Sequence, residues 1–330
     1  MNGHTTQIQG GQGMQPGVTR SAIKGICVQN SELCRSGVVR FPKGKSGLGW
    51  RYRRKRDSLM PIPIKSLAPV LLGIPFDAHS SYLRGPAQAP PLIREAFHCD
   101  ASNSWTETGV NLGAPGIFAD AGDLELSQDS SAFAVIENVV GDLLDKGQRP
   151  LSLGGDHSVT CPIVRAFGKR FPDLSIVHFD AHPDLYEEFE GNRYSHACPF
   201  ARIMEEGCAK RLIQLGIRTL NQQQREQAER FGVEVVEMRN LPAVERLKFD
   251  GPVYISFDVD ALDPAFAPGI SHREPGGMSV REAITHLHAI RGTIVGADLV
   301  EYNPRQDVSQ LTATVCGKLL KEMLGKMIAG

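Results

Sequence analysis

The chain has 330 residues, 41% hydrophobic and 22% charged, with a formal net charge of −1; this is an ordinary globular composition, long enough for one large α/β domain or two smaller ones. The near-neutral total hides a division, because residues 1–57 hold eleven Lys and Arg against Glu32 and Asp57, leaving 25 basic and 35 acidic residues elsewhere. An acidic body suits a cationic substrate or bound metal ions and argues against a nucleic-acid-binding domain.

Residues 1–66 are expected to form a disordered basic extension, rich in Gly, Gln, Ser and Pro and ending near the run Arg51-Tyr52-Arg53-Arg54-Lys55-Arg56. An Arg-rich, acid-poor leader also fits an organellar transit peptide, but no amphipathic helix is visible in it. Residues 67–330 are read as one domain. Short β-prone runs recur at Val70–Ile74, Gly116–Ala119, Pro150–Leu153, Leu174–Phe179, Leu212–Ile217, Val233–Val236, Val253–Phe257 and Thr293–Leu299. Helical spacing fills most intervals: Ala89–His98, Ser131–Lys146, Val159–Arg170, Phe200–Gly207, Gln222–Phe231, Val280–Ile290 and Ser309–Met327. Strands alternating with helices predict an α/β fold with a mostly parallel sheet covered on both faces. Asp120 and Asp123, flanking Gly122, are placed in a turn.

The seven cysteines show no CxxC and no regular spacing. They are read as free thiols of a reduced, intracellular protein, and a cytoplasmic location is expected. No run of about 18 apolar residues is present, so no membrane partner is expected.

Three strand-end motifs share one chemistry: Gly154-Gly155-Asp156-His157-Ser158, Asp180-Ala181-His182-Pro183-Asp184 and Asp258-Val259-Asp260. The strand ends of a parallel sheet point the same way, onto the crevice where ligands sit. His157, His182, Asp180, Asp184, Asp258 and Asp260 are therefore candidate metal ligands. Buried carboxylates need compensating cations, and the strand ends bring no basic residues of their own. Two divalent ions would neutralise four carboxylates and turn a bridging water into hydroxide near neutral pH. Hydroxide attack on an unsaturated carbon or on phosphorus would follow. A binuclear phosphoesterase should show basic residues beside these motifs, and there are none; a metal-free binding protein should have lost ligands.

These motifs, with the run Ser256-Phe257-Asp258-Val259-Asp260-Ala261-Leu262-Asp263-Pro264-Ala265-Phe266-Ala267-Pro268-Gly269, resemble the signatures of the ureohydrolase (arginase/agmatinase) family over about residues 68–328. The resemblance implies a three-layer α/β/α fold with an eight-stranded parallel sheet, and hydrolysis of a guanidino group to urea and an amine at two Mn²⁺ ions per subunit. By motif, His157, Asp180, Asp184 and Asp258 would hold one ion, and Asp180, His182, Asp258 and Asp260 the other. His196 matches the family's proton-shuttle histidine, Glu301 the carboxylate that grips the guanidinium, and Asp184 would pass a proton to the leaving amine. The expected partners are a small cationic guanidino substrate and further copies of the chain, as a trimer or hexamer.

Local wording resembles plant-type arginases and agmatinases. An α-carboxylate needs donors near the mouth, and Asn192, Arg193 and Ser195 supply them, which favours arginine over agmatine or another guanidino or formimino compound. His272 and Glu274 lie in a loop near the mouth and could touch substrate or a neighbouring subunit. Cys161 and Cys198 are not expected to act as nucleophiles.

Overall fold

The computed structural model describes residues 68–241 and 247–330. The extension expected over residues 1–66 lies outside the described residues. Eight strands form one sheet: β1 (Pro69–Gly73), β2 (Ala119–Asp123), β3 (Arg149–Leu153), β4 (Ser175–Phe179), β5 (Arg211–Ile217), β6 (Glu234–Glu237), β7 (Lys248–Asp258) and β8 (Arg291–Val300). Their order is β2-β1-β3-β8-β7-β4-β5-β6, and every pairing is parallel. The helices are α1 (Ala89–Phe97), α2 (Ser131–Asp145), α3 (Thr160–Arg170), α4 (Pro199–Glu205), α5 (Gln222–Phe231), α6 (Val280–Ala289) and α7 (Leu311–Ala329).

Alternation along the strands splits the core in two. Leu71, Val177, Ile213 and Ile255 face one layer with α1, α6 and α7; their neighbours Leu72, Ile176, Leu212 and Tyr254 face the other with α2 and α3. This is the three-layer α/β/α architecture. Helix α2 shows the cause at residue level. Phe133, Ile136, Val140, Leu143 and Leu144 form its buried stripe, and Gly147, at φ 74°, supplies the left-handed turn after it. Each such buried side chain contributes about 1.5–3 kcal/mol of burial free energy. Helix α6 opens on a full capping box between Ser279 and Glu282.

One strand differs from expectation. The run at Gly116–Ala119 is not the strand; β2 begins at Ala119 and contains Asp120 and Asp123, which are therefore not in a turn. The strand lies on the sheet edge, where apolar faces are not required. Its two carboxylates are instead held by Arg94 of α1, which pairs with both. The mid-sheet order β3-β8-β7-β4 has the larger consequence. It makes neighbours of the strands that carry the three motifs and Glu301, so their C-terminal ends open onto one crevice.

Candidate active site

Strand β3 ends at Leu153 and the chain passes through Gly155 directly against Phe76. A Cβ on Gly155 would lie 1.6 Å from the Phe76 carbonyl oxygen, so only glycine fits there. The next turn is capped by Asp156, whose carboxylate accepts from the Ser158 amide at 3.1 Å, and it presents His157. The side chain of His157 is fully buried. Its Nε2 lies 3.0 Å from Ser256 Oγ, and Ser256 in turn donates to Asp298 Oδ1 at 2.7 Å. Asp298 also accepts from Thr160 Oγ1 and Tyr254 OH. Because the Ser256 proton goes to Asp298, its oxygen accepts from His157, and this assigns the imidazole proton to Nε2.

The other nitrogen, His157 Nδ1, therefore turns a lone pair toward three carboxylates. Asp180 Oδ2 is at 3.2 Å, Asp184 Oδ2 at 3.1 Å and Asp258 Oδ2 at 3.1 Å, and the atom has no hydrogen-bond partner among the described residues. Lone pairs converging at this distance repel unless a positive charge lies among them. Burial opposes a proton on His157, but the three carboxylates hold its pKa well above the usual imidazole value. A divalent cation meets the same demand, and the orphaned nitrogen fits one.

Asp180 reaches a second group. Its Oδ2 faces His157 and takes a 2.7 Å contact from His178 Nε2; its Oδ1 lies 3.4 Å from His182 Nδ1, which is 3.0 Å from Asp260 Oδ2. Asp180, His182 and Asp260 form one compact set of possible ligands, and His157, His178 and Asp180 another. Among the described residues, the four carboxylates pair only with imidazoles. The electrostatics show the surplus of negative charge. Burial first, then Asp260 and Asp180, push the Asp258 carboxyl well above its usual range, and burial lifts Asp260 to about 6.

His196 and Glu301 stand beside this cluster. Glu301 follows β8 directly, is nearly buried and has φ 63°, a left-handed backbone. Its Oε1 accepts from the His157 amide at 2.9 Å and lies 2.9 Å from His196 Nδ1. Its Oε2 has no hydrogen-bond partner among the described residues. Burial raises the Glu301 pKa, but His196 outweighs this and keeps it below the usual value. Burial likewise opposes charge on His196, yet Glu301 and the nearby Asp184 and Asp156 raise its pKa to about 9.

A cavity of about 180 Å³ opens onto Asp184, Asp258, Asp260, His182, His196 and Glu301, and is closed by Ser81, Tyr186, Phe189, Ala197, Thr219, Gln224, His272 and Glu274. Among the described residues it has acids, imidazoles and neutral donors but no Lys or Arg, which suits a cation. His272 and Glu274 thus reach the mouth. Asn192 and Ser195 do not line the cavity. Asn192 Oδ1 accepts from the Tyr194 amide at 2.9 Å, and Ser195 Oγ from the Ala197 amide at 3.4 Å; both shape their own loop. Arg193 pairs with Glu205 instead. The thiols of Cys161 and Cys198 are pushed up to about 12, chiefly by burial, and are inert.

Sequence reasoning passed over His178, Ser81, Thr219 and Gln224. Only His178 carried a signal, the two-residue step to Asp180 that puts both on one face of β4. Ser81 and Thr219 come from the loops after β1 and β5 and Gln224 from the first turn of α5, and their placement follows from tertiary packing.

Comparison with known proteins agrees with this geometry. The Arginase family profile matches residues 68–325. Arginase 1, mitochondrial, of Arabidopsis thaliana is 48% identical over 274 residues, covering 78% of this chain and 80% of that protein. The agmatinase of Bacillus subtilis is 34% identical over 264 residues, covering 77% and 90%. The solved arginase of Medicago truncatula superposes with a TM-score of 0.76 at 48% identity, over 79% of this chain and 87% of that one. These names correct the expected cytoplasmic location: the Arabidopsis relative is named for the mitochondrion, and a second from the same plant for chloroplast and mitochondrion. Free thiols report a reducing surrounding, not which compartment supplies it. With the sheet order, the carboxylate–imidazole cluster at four adjacent strand ends and these likenesses in agreement, the chain is a member of the arginase family of amidinohydrolases, which act on carbon–nitrogen bonds of guanidino compounds.

Proposed function

We propose that the protein hydrolyses L-arginine to L-ornithine and urea with two Mn²⁺ ions per subunit. His157, Asp180, Asp184 and Asp258 would hold one ion, and Asp180, His182, Asp258 and Asp260 the other, with Asp180 and Asp258 shared. Divalent ions bound there supply the Lewis acidity that makes water nucleophilic near neutral pH. The observation that carries the reading is the unpartnered Oε2 of Glu301, held in a cavity beside the carboxylate cluster. A planar guanidinium gives a carboxylate two charge-assisted hydrogen bonds and so fixes the direction in which its carbon faces. Asp184, which also lines the cavity, hands a proton to the leaving amine, which cannot depart as an anion. His196 moves protons to and from solvent.

Arginine is favoured because the plant relatives at 45–48% identity are named arginases, whereas the agmatinases stand at 34–35%. The α-end would lie against Thr219, Gln224 and Glu274, with Asn192 and Ser195 acting through loop shape. Agmatine is the second reading, since among the described residues no Lys or Arg lines the cavity to meet a carboxylate. Trimeric or hexameric assembly and an organellar address go with the family and its plant members. The deciding measurement is urea release from arginine and from agmatine, before and after chelation and return of Mn²⁺. Absence of urea from both, with metal bound, defeats the proposal.

A further inference from the structure

We propose that Ser81 is a positioning residue that relays protons between His196 and solvent, and that Asp156 mounts it there. The proposal rests on the reading of His196 as the proton carrier.

His196 is gripped at both ring nitrogens. Nδ1 faces Glu301 Oε1 at 2.9 Å, and Nε2 lies 2.8 Å from Ser81 Oγ. The anionic Glu301 keeps a proton on Nδ1, so any proton gained or lost by the ring is gained or lost at Nε2, against the serine. A hydroxyl can meet both states of that nitrogen: it accepts from Nε2–H when the ring is charged and donates to Nε2 when it is neutral. Ser81 is only part-buried and lines the cavity, so its oxygen has the imidazole on one side and access to water on the other.

The loop around Ser81 is fixed rather than draped. Asp156 Oδ2 accepts from the His79 amide at 2.9 Å and from Ser80 Oγ at 3.3 Å. Its Oδ1 is held by the amide and hydroxyl of Ser158. The His196 amide itself donates to the His79 carbonyl at 3.2 Å. On the far side, Asp77 Oδ2 accepts from the amides of Gly85 and Ala87. Asp156 is fully buried in the turn that also presents His157, so one turn after β3 sets both the imidazole of the ligand cluster and the loop that bears the serine.

In the relay step the Nε2–H bond of His196 breaks and an O–H bond forms on Ser81, while the serine's former proton passes to a water molecule. His196 and Ser81 end neutral and solvent carries the charge; recharging runs the same path backwards.

The test uses the full chain loaded with Mn²⁺ and compares wild type, Ser81→Ala and Ser81→Thr on arginine. A relay role predicts that Ser81→Ala lowers kcat about 10- to 100-fold, within the range of acid–base contributions, with KM changed less than about twofold. Ser81→Thr, which keeps the hydroxyl, should recover most of the loss, and added imidazole should raise kcat of the Ala variant but not of wild type. In protein labelled with ¹⁵N-histidine, Ser81→Ala should move the Nε2 resonance of His196 and leave Nδ1, held by Glu301, in place. An active wild type matched by Ser81→Ala in kcat overturns the relay alone, as does a loss confined to KM or one that Thr does not repair. A wild type that releases no urea overturns the functional reading and the relay with it.

Discussion

Ser256 accepts from His157 and donates to Asp298, at 3.0 and 2.7 Å, and so decides which nitrogen of His157 faces the carboxylate cluster. Removing that hydroxyl frees the ring to rotate and to change tautomer. Ser256→Ala should weaken metal binding about 10- to 100-fold, the usual effect of losing such an outer partner. Competition against a chromogenic chelator measures it. Unchanged affinity would mean that packing alone orients His157.

Stripping metal should lower the melting temperature. With free ion at 1,000 times its dissociation constant, binding adds about 4 kcal/mol, or roughly 6–8 °C for a chain of this size. The gap between loaded and stripped protein should widen as pH rises. Burial first, then the neighbouring Asp180, lift Asp260 to about 6, above an ordinary carboxyl. Without metal, its folded form therefore binds protons that the unfolded form has lost, and stability falls as pH climbs through that value. Calorimetry at pH 5.5 and 7.5 checks the sign; a constant gap refutes it.

Glu301→Gln should reduce kcat/KM by about 100-fold or more, because one charge-assisted partner of a buried guanidinium is worth about 3 kcal/mol or more. Metal content should stay at wild-type level, since Glu301 is not proposed as a ligand. Loss of metal together with activity would move Glu301 into the metal cluster.

His196 should give the pH profile its alkaline shape. Burial lowers its affinity for a proton, but Glu301, Asp184 and Asp156 reverse this and set its pKa at about 9. The ring must be neutral to accept a proton, so kcat/KM should rise with pH through the His196 titration, which lies below 9 in the loaded enzyme because bound cations offset the charge of Asp184. Bound guanidinium offsets the Glu301 charge, so the corresponding limb in kcat should lie at lower pH. His196→Asn should abolish both limbs; a limb that survives belongs to another group.

The strand ends were legible because ligand chemistry there is written in contiguous letters. Asp180, His182 and Asp184 occupy five residues, and the parallel sheet fixes where they point. Helices α2 and α6 were legible for a similar reason, since their buried stripes and stops are local. Strand β2 was not: its Asp120 and Asp123 are stabilised by Arg94, 26 and 29 residues away, and nothing near them in the chain announces a strand. The rim of the cavity was less legible for the same cause. Asn192 and Ser195 had the right functional groups, but their loop spends them on its own amides, while Thr219 and Gln224 reach the cavity from the segment after β5.

Two of the acids in the cavity, Asp184 and Glu301, sit on left-handed backbone at φ 49° and 63°. Side chains other than glycine resist that conformation by about 1–2 kcal/mol. At position 301 that cost is offset by what the carboxylate holds, since its Oε1 accepts from the His157 amide and faces His196 Nδ1, and a buried donor left without its acceptor costs about 1–3 kcal/mol. A heat-selected library should therefore keep a hydrogen-bond acceptor at position 301 despite its left-handed backbone, so that durability and turnover hold the same codon in place.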